Sequence, residues 1–339
     1  ANGMLLHGLD FDDTHLGAII HASVASLPAA LAVGEAVGAS GKDMLVAYVA
    51  GMETAIRIGL AANGAFHHAG YHATAVASHF SSAIVAGKLM GLNVHELTMA
   101  QGVAGSSAAG LQVFLEEGAW TKRFHPGWGA VAGITAATMA QQGFVGPSRV
   151  YEGKFGLFET HFQDHINDTD IDQLDAGLGE RWELAATAIK PYPVCHFIHG
   201  CADAAIDISR EIEVGQIKAI EAFLPGPTMP IVAEPAAAKL TPKTDYEAKF
   251  SAQFVVATCL AKGCFGLAEL RDECFSDTEL LDLAAKVTCA ADPDTSFPTY
   301  FSGGLVVHLD NGQKISRHVP VNSGAGDKML DETGVSAKF

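Results

Sequence analysis

The sequence predicts two domains of different class, a mainly α-helical first domain and a smaller α+β second domain. Three observations carry this. Up to about residue 142, Ala, Val, Leu and Gly recur at helical spacing with sparse charge. After Gly143 the chain turns polar and turn-rich, through Gly146-Pro147, Glu152-Gly153-Lys154 and an acidic run from Asp164 to Asp175, which places a boundary near Ala185 to Ile189. Beyond it, Asp310-Asn311-Gly312 separates the apolar runs Leu305 to Leu309 and Ile315 to Val319, a strong hairpin signal.

Taken in order, Val24 to Asn63 reads as an antiparallel helix pair. It is broken at Ala39-Ser40-Gly41-Lys42-Asp43, a helix stop followed by a turn and a new cap. Small residues such as Ala47, Ala50, Gly51 and Ala55 let neighbouring helices approach closely. The loop Asn63 to His72 holds three histidines and two glycines before another helix that runs to Lys88. Further helices are predicted over about 96–115 and 128–142. Lys122 and Arg123 then precede a helix start, where cations suit the dipole poorly unless an anion is held there. In the second domain, Lys190-Pro191-Tyr192-Pro193 is extended by its prolines and Cys195 to His199 leads into a helix through Arg210. Gln216 to Leu224 alternates as a strand, and Tyr246 to Lys262 reads as one helix.

Composition narrows the partners. Of 339 residues, 17% are charged, against roughly 25% in an average globular protein, so much of the surface is expected to be covered in a homo-oligomer. A formal net charge of −17 excludes nucleic acid and anionic membranes as electrostatic partners. Any anionic substrate must meet a local cationic pocket. The apolar runs are interrupted before the ~18 residues of a membrane span, so none is predicted. All six cysteines lie in the second half without a C-x-x-C pair, which fits reduced thiols and a cytoplasmic location. The chain opens on Ala1 without a signal-peptide pattern and reads as an interior piece of a longer one.

The densest ionisable stretch is Asp10-Phe11-Asp12-Asp13-Thr14-His15, flanked by His7 and His21. Clustered carboxylates repel unless a cation, a proton or a hydrogen-bond network relieves them. The plainer reading is a solvated helix N-terminus capped by Asp and Thr. Asp10, Asp12, Asp13 and His15 offer ligands for a hard metal ion. There is no H-E-x-x-H, D-D-x-x-D or Walker loop beside them, and no metal is predicted. Gly105-Ser106-Ser107-Ala108 lacks the G-x-S-x-G of a serine hydrolase. Cys195 beside His196 is a weak nucleophile pair, because neighbours in an extended segment point apart. Isolated histidines such as His67, His68, His79, His95 and His318 read as loop or core residues. The polar clusters that remain are Asp10/Thr14/His21, His72, Lys122/Arg123/His125 and Lys190/Cys195/His196. They suit proton transfer on a polycarboxylate, where cations hold the carboxylate while a near-neutral base takes the α-proton.

These stretches resemble the MmgE/PrpD family. The resemblance is carried by Asn2-Gly3 to His7 with Asp10-Phe11-Asp12-Asp13-Thr14, by Tyr71-His72-Ala73-Thr74, and by Ala86-Gly87-Lys88-Leu89-Met90-Gly91-Leu92. It continues in Thr121-Lys122-Arg123-Phe124-His125-Pro126-Gly127, Tyr151-Glu152-Gly153-Lys154 and Lys190-Pro191-Tyr192-Pro193-Val194-Cys195-His196. It implies a helical domain over 1–188 lacking its first helices, an α+β lid over 189–325, and a return segment beginning at 326–339. It further implies a site in the cleft, a homodimer, and catalysis without metal or organic cofactor. By resemblance the catalytic residues are Asp10, His21, His72 and Lys122, His21 with one residue of slack. Thr14 and Lys190 bind substrate, together with either Cys195 or His196. Where the decarboxylase-like members place a tyrosine, this chain has Phe254. The leading expectation is a cofactor-independent lyase of the 2-methylcitrate dehydratase kind. In it His72 or His21 is the base, Lys122 and Lys190 clamp carboxylates or act as acid, and Asp10 orients an imidazole. The alternatives are an iminodisuccinate epimerase-like isomerase, a cis-aconitate decarboxylase-like enzyme, and a non-catalytic binding protein for small anions.

Overall fold

The computed structural model describes residues 1–338, and its packing divides the chain into two compact units, Ala1–Thr187 and the residues from Ala188 onward. Each is described by itself. The first unit is helical: α1 (Asn2–Gly8), α2 (Ala22–Val37), α3 (Gly41–Ala62), α4 (Ala65–His68), α5 (Ala73–Leu89), α6 (Val94–Gly105), α7 (Phe114–Glu117), α8 (Thr121–Gln141) and α9 (Leu157–Phe162), followed by short 3₁₀ turns. Helix α2 ends at Gly38 in the left-handed region, and Ser40 caps α3 by accepting from the Asp43 amide at 3.1 Å.

Helix α5 is the axis of this unit. It is buried along almost its whole length and packs against α2, α3, α6 and α8. That many neighbours fit around one helix only because the contact residues are small. A Cβ on Gly129 of α8 would lie 2.5 Å from the Cβ of Ser78, and one on Gly133 would lie 2.5 Å from that of Ser82. Gly51 of α3 leaves room in the same way for Val85. The serines on this seam satisfy themselves locally: Ser26 and Ser81 share a bond of 2.7 Å, and Ser82 donates to the Ala25 carbonyl at 3.0 Å. Larger side chains fill the far end, where Phe66, Phe80, Phe158 and Phe162 are buried together.

Helix α3 is long and apolar enough to cross a membrane by length and composition, the one such helix among the described residues, and 56% of its apolar window is buried inside the protein. It carries a buried ion pair, Arg57 to Glu53 at 3.1 Å. Arg57 also donates to the Ala176 and Arg181 carbonyls, both at 2.9 Å, and Glu53 accepts the Leu184 amide at 2.8 Å. The polar 170–184 segment is thereby fastened to a core helix.

Two helix boundaries differ from the sequence expectation. The helix expected over 96–115 stops at Gly105, and residues 106–113 form an irregular crossing segment. There Gly110, at φ +150°, passes so close to Ala75 that a Cβ would collide. The helix expected from 128 begins at Thr121 instead. Pro126 lies in its second turn, where it forgoes the bond an amide there would make to the Lys122 carbonyl. Lys122 and Arg123 are therefore inside the first turn of α8.

The second unit is α+β. Its sheet runs in the order Val287–Ala291, Ile217–Leu224, Gly303–Leu309, Lys314–Val319, the first pair parallel and the others antiparallel. The Ile217–Leu224 strand alternates as expected: Ile220, Ala222 and Leu224 are buried while Lys218 and Glu221 are exposed. The last two strands are joined across Asp310-Asn311-Gly312, with Gly312 at φ +84°. A helix at His199–Ile208 packs on the sheet, so tightly that a Cβ on Gly303 would lie 2.5 Å from the Cys201 amide nitrogen. The single helix expected over Tyr246 to Lys262 is two, Asp245–Lys249 and Ala252–Lys262. Ser251 breaks it by capping the second piece, accepting from the Phe254 amide at 3.0 Å. The prolines at 191 and 193 give bends, followed by a 3₁₀ turn at His196–Ile198, where an extended run was expected.

Candidate active site

The acidic stretch follows α1, and its backbone explains how three carboxylates coexist. Asp10 sits at φ +52°, a left-handed conformation that Asp tolerates better than most residues. The three side chains go to three different partners. Asp10 Oδ1 accepts from Lys122 Nζ at 3.2 Å, with both side chains more than nine-tenths buried. Asp12 Oδ2 accepts from His7 Nδ1 at 2.7 Å and lies 3.5 Å from His21 Nδ1. Asp13 accepts from the Ser23 amide at 3.0 Å and the Ser23 hydroxyl at 2.6 Å, which satisfies the N-terminus of α2. The capping reading thus holds for Asp13 and for neither of the others. Burial, with the Asp13 charge, pushes the nearby Tyr48 phenol up to about 12.

Asp10 bonds to Lys122, and Asp12 is a carboxylate that holds an imidazole, that of His7. His21 is oriented by the Asp13 carbonyl, to which its Nδ1–H donates at 2.8 Å, with Thr14 Oγ1 at 3.3 Å from the same nitrogen. The His21 amide donates to Thr74 on α5 at 3.1 Å, which ties the stretch to the axis helix. His15 is directed elsewhere, accepting the Ala18 amide and lying 3.7 Å from Glu183. The ligand set Asp10, Asp12, Asp13 and His15 therefore does not converge. Among the described residues, His7, Asp12 and His21 are the group whose donor atoms, within 4.8 Å of one another, have metal-ligand chemistry.

His72 forms the N-cap position of α5, and its amide donates to the Gly110 carbonyl at 2.9 Å. Its ring stacks on His7 at 5.6 Å between centroids, and His7 meets His21 edge-on at 4.9 Å. On its other side His72 Nδ1 lies 3.0 Å from His125 Nδ1, and Phe114 packs edge-on against both rings. Burial drives the His72 imidazole well below its ordinary value, with positive charge at His7, His125, Lys122 and His21 adding to the effect. His125 is lowered to about 4 by burial, again with His7, His79 and Lys122 contributing. Both rings are neutral at pH 7, next to a buried ammonium. Asp10, Thr14, His21, His72 and Lys122 are thus brought together in the first unit.

Lys190, Cys195 and His196 are all buried in the second unit. Lys190 is fully buried, and the preceding Ile189 amide donates to Gly324 at 2.9 Å. The Cys195 amide donates to the Lys249 carbonyl at 2.9 Å. His196 Nε2 accepts from the Asn322 side-chain amide at 2.9 Å, and its ring meets His199 at 4.4 Å. Tyr192 donates to Asp203 Oδ1 at 2.6 Å, and Ser323 N donates to Oδ2 at 2.7 Å. The 322–324 loop therefore supports the whole Lys190 motif from behind. Phe254 is fully buried, facing Phe265 and Phe275.

Sequence reasoning placed His125 only within the Lys122/Arg123/His125 cluster, and assigned no role to His7 or Asn322. Both histidines lay inside quoted motifs, but their partners are set by the turn at Asp10 and the early start of α8. Asn322 lies 126 residues from His196 and gave no local signal.

The class is that of two-domain proteins with a helical domain followed by an α+β domain, and the first of these carries a buried lysine–aspartate pair beside histidines. The chain matches the MmgE/PrpD N-terminal domain over residues 1–169 and the MmgE/PrpD C-terminal domain over residues 192–339, and it belongs to the MmgE/PrpD family. It is 26% identical over 348 residues to a cis-aconitate decarboxylase-like protein of Aspergillus oryzae, covering 98% of this chain and 72% of that one. It is 29% identical over 218 residues to the cis-aconitate decarboxylase of Aspergillus terreus, covering 62% of this chain and 44% of the relative. The human cis-aconitate decarboxylase is 26% identical over 349 residues, covering 100% of this chain and 70% of the relative.

Proposed function

We propose that this chain carries the machinery of a lyase acting on an aconitate-like polycarboxylate by proton transfer, with His72 or His21 as the proton-transfer group: the base where a proton is removed, as in dehydration, and a proton carrier where one is returned to carbon, as in decarboxylation. The observation that supports it most is the buried Lys122–Asp10 pair, whose ammonium acts on a neutral, buried His72. A carboxylate entering there would meet a fixed cation, and the charge that builds on it during deprotonation would be stabilised without reorganisation. The neutral imidazole beside it can take a proton at pH 7. Lys190, with Cys195 or His196, supplies further carboxylate-binding groups.

The named relatives move the weight within the lyases from 2-methylcitrate dehydration toward decarboxylation of cis-aconitate. In that reaction a carboxylate leaves as CO₂, its electron pair passes to the carbon framework, and an acid returns one proton to carbon. Phe254 cannot be that acid, so a histidine or lysine of the clusters above fills the role. The test is to incubate the protein with cis-aconitate and, separately, 2-methylcitrate in deuterated buffer, following both by proton NMR. Loss of cis-aconitate with one deuterium in a dicarboxylate product supports the reading. Binding of both acids without turnover or exchange, retained in the His72→Ala/Lys122→Ala double variant, overturns it in favour of an anion-binding protein.

A further inference from the structure

We propose that His125 is a positioning residue for His72, the two imidazoles sharing a single proton between their Nδ1 atoms and changing tautomer together. The proposal rests on the reading of His72 as a proton-transfer group and adds what sets its protonation state. The geometry is the starting point. The two Nδ1 atoms are 3.0 Å apart, a hydrogen-bond distance at which two lone pairs repel and two N–H groups collide. One proton, neither none nor two, fits between them. Neither ring can turn aside easily: the His72 backbone is tied to Gly110, His125 rides on the second turn of α8, and Phe114 closes the edge of both.

The surroundings keep the pair neutral. His7 from α1, His21 before α2, His79 from α5 and Lys122 from α8 all act on one or both rings and disfavour a further positive charge. The adjacent carboxylates, Asp10 and Asp12, bond to Lys122 and His7. In a neutral pair, one ring carries Nδ1–H with a bare Nε2, and the other carries Nε2–H. In the tautomer with the shared proton on His72, its Nδ1–H is occupied by His125 and its Nε2 is available as base. When His72 Nε2 takes a proton from substrate, the shared proton can pass to His125 Nδ1. His72 is then neutral again, with one added positive charge now on His125. No other group is consumed, and reversal returns the proton.

The test reads tautomers directly. Long-range proton–nitrogen correlation spectra of the ¹⁵N-histidine-labelled chain, with both rings assigned from single variants, are expected to show one δ-protonated and one ε-protonated ring at pH 7. Two ε-protonated rings, or an imidazolium at either position, would overturn the proposal whatever the activity. Two variants add a kinetic reading. His125→Asp can only accept, so it keeps His72 δ-protonated and raises its proton affinity, moving the acid limb of 2-methylcitrate dehydration, a reaction in which a substrate proton is removed, up by about 1 pH unit or more. His125→Leu removes the partner and is expected to lower turnover ~100-fold without that shift. An unmoved acid limb in His125→Asp, at an unchanged urea midpoint, would also overturn it. A shared proton without turnover of either acid refutes the proposed lyase and leaves the pair standing. Turnover with two ε-protonated rings refutes only the pair.

Discussion

Replacing Lys122 by Met should destabilise the first unit by about 3 kcal/mol or more, because breaking a buried ion pair leaves its partner charged in a poor solvent. The two side chains are 9% and 3% exposed and the Nζ to Oδ1 distance is 3.2 Å. At an effective dielectric constant of ~20 their attraction is about 5 kcal/mol, most of it offset by the desolvation of both groups. Lys122→Met retains the packing volume of the lysine stem. Asp10→Asn retains a residue that accepts the left-handed conformation at φ +52°. Either single variant leaves a buried charge without this counter-ion, whereas the double variant removes both charges. Urea unfolding followed by far-UV circular dichroism, on all four members of the cycle, gives the coupling. We expect ~2 kcal/mol or more, with the double variant more stable than the two single losses predict. A coupling below about 0.5 kcal/mol, the scatter of independent sites, would refute the pairing.

Gly133→Val should be among the most destabilising substitutions in the helical unit, since its Cβ would sit 2.5 Å from that of Ser82 with backbone on either side; a loss of ~3 kcal/mol or failure to fold is expected, read as the urea midpoint. Gly110→Ala should lower both the melting temperature and cis-aconitate turnover, because a Cβ there collides with Ala75 and displaces the carbonyl that anchors His72; unchanged kinetics would refute the anchoring role. Ser40→Ala, at an exposed cap of α3, should cost about 1 kcal/mol of stability and leave turnover unaltered. Acid should destabilise the fold: His67 and His125 are held down to about 4 from an ordinary 6.5, so the unfolded chain binds more protons throughout that window. Stability is therefore complete above 6.5 and is lost as pH falls toward 4, and differential scanning calorimetry across that range should show a steadily falling melting temperature.

The class of each half was readable because it rests on local patterning. The caps at Ser40 and the turn at Asn311-Gly312 act over a few residues, and both were visible in sequence. Boundaries failed where a tertiary contact overrode a local signal. The helix expected from 128 starts at Thr121 and runs through Pro126, with α8 seated on α5 just beyond it at Gly129 and Gly133. Ser251 read as helix interior and is a cap. For the site, residue types were legible and pairings were not. Which of Asp10, Asp12 and Asp13 holds a cation depends on a single left-handed residue, and no propensity assigns that. His125 was quoted only as part of a basic motif, since its relation to His72 exists only once α5 and α8 are in contact.

The glycine–serine seam between those two helices has a consequence for remodelling the protein. With Gly129 and Gly133 seated directly on Ser78 and Ser82, neither rod can slide or roll by more than a few tenths of an ångström. The spacing of His72 from Lys122 and His125 is consequently a ruler cut into the backbone, indifferent to whatever occupies it. Room for a longer or bulkier acid has to be found in the irregular crossing at 106–113, and engineering libraries aimed at new substrates belong there rather than on the helices.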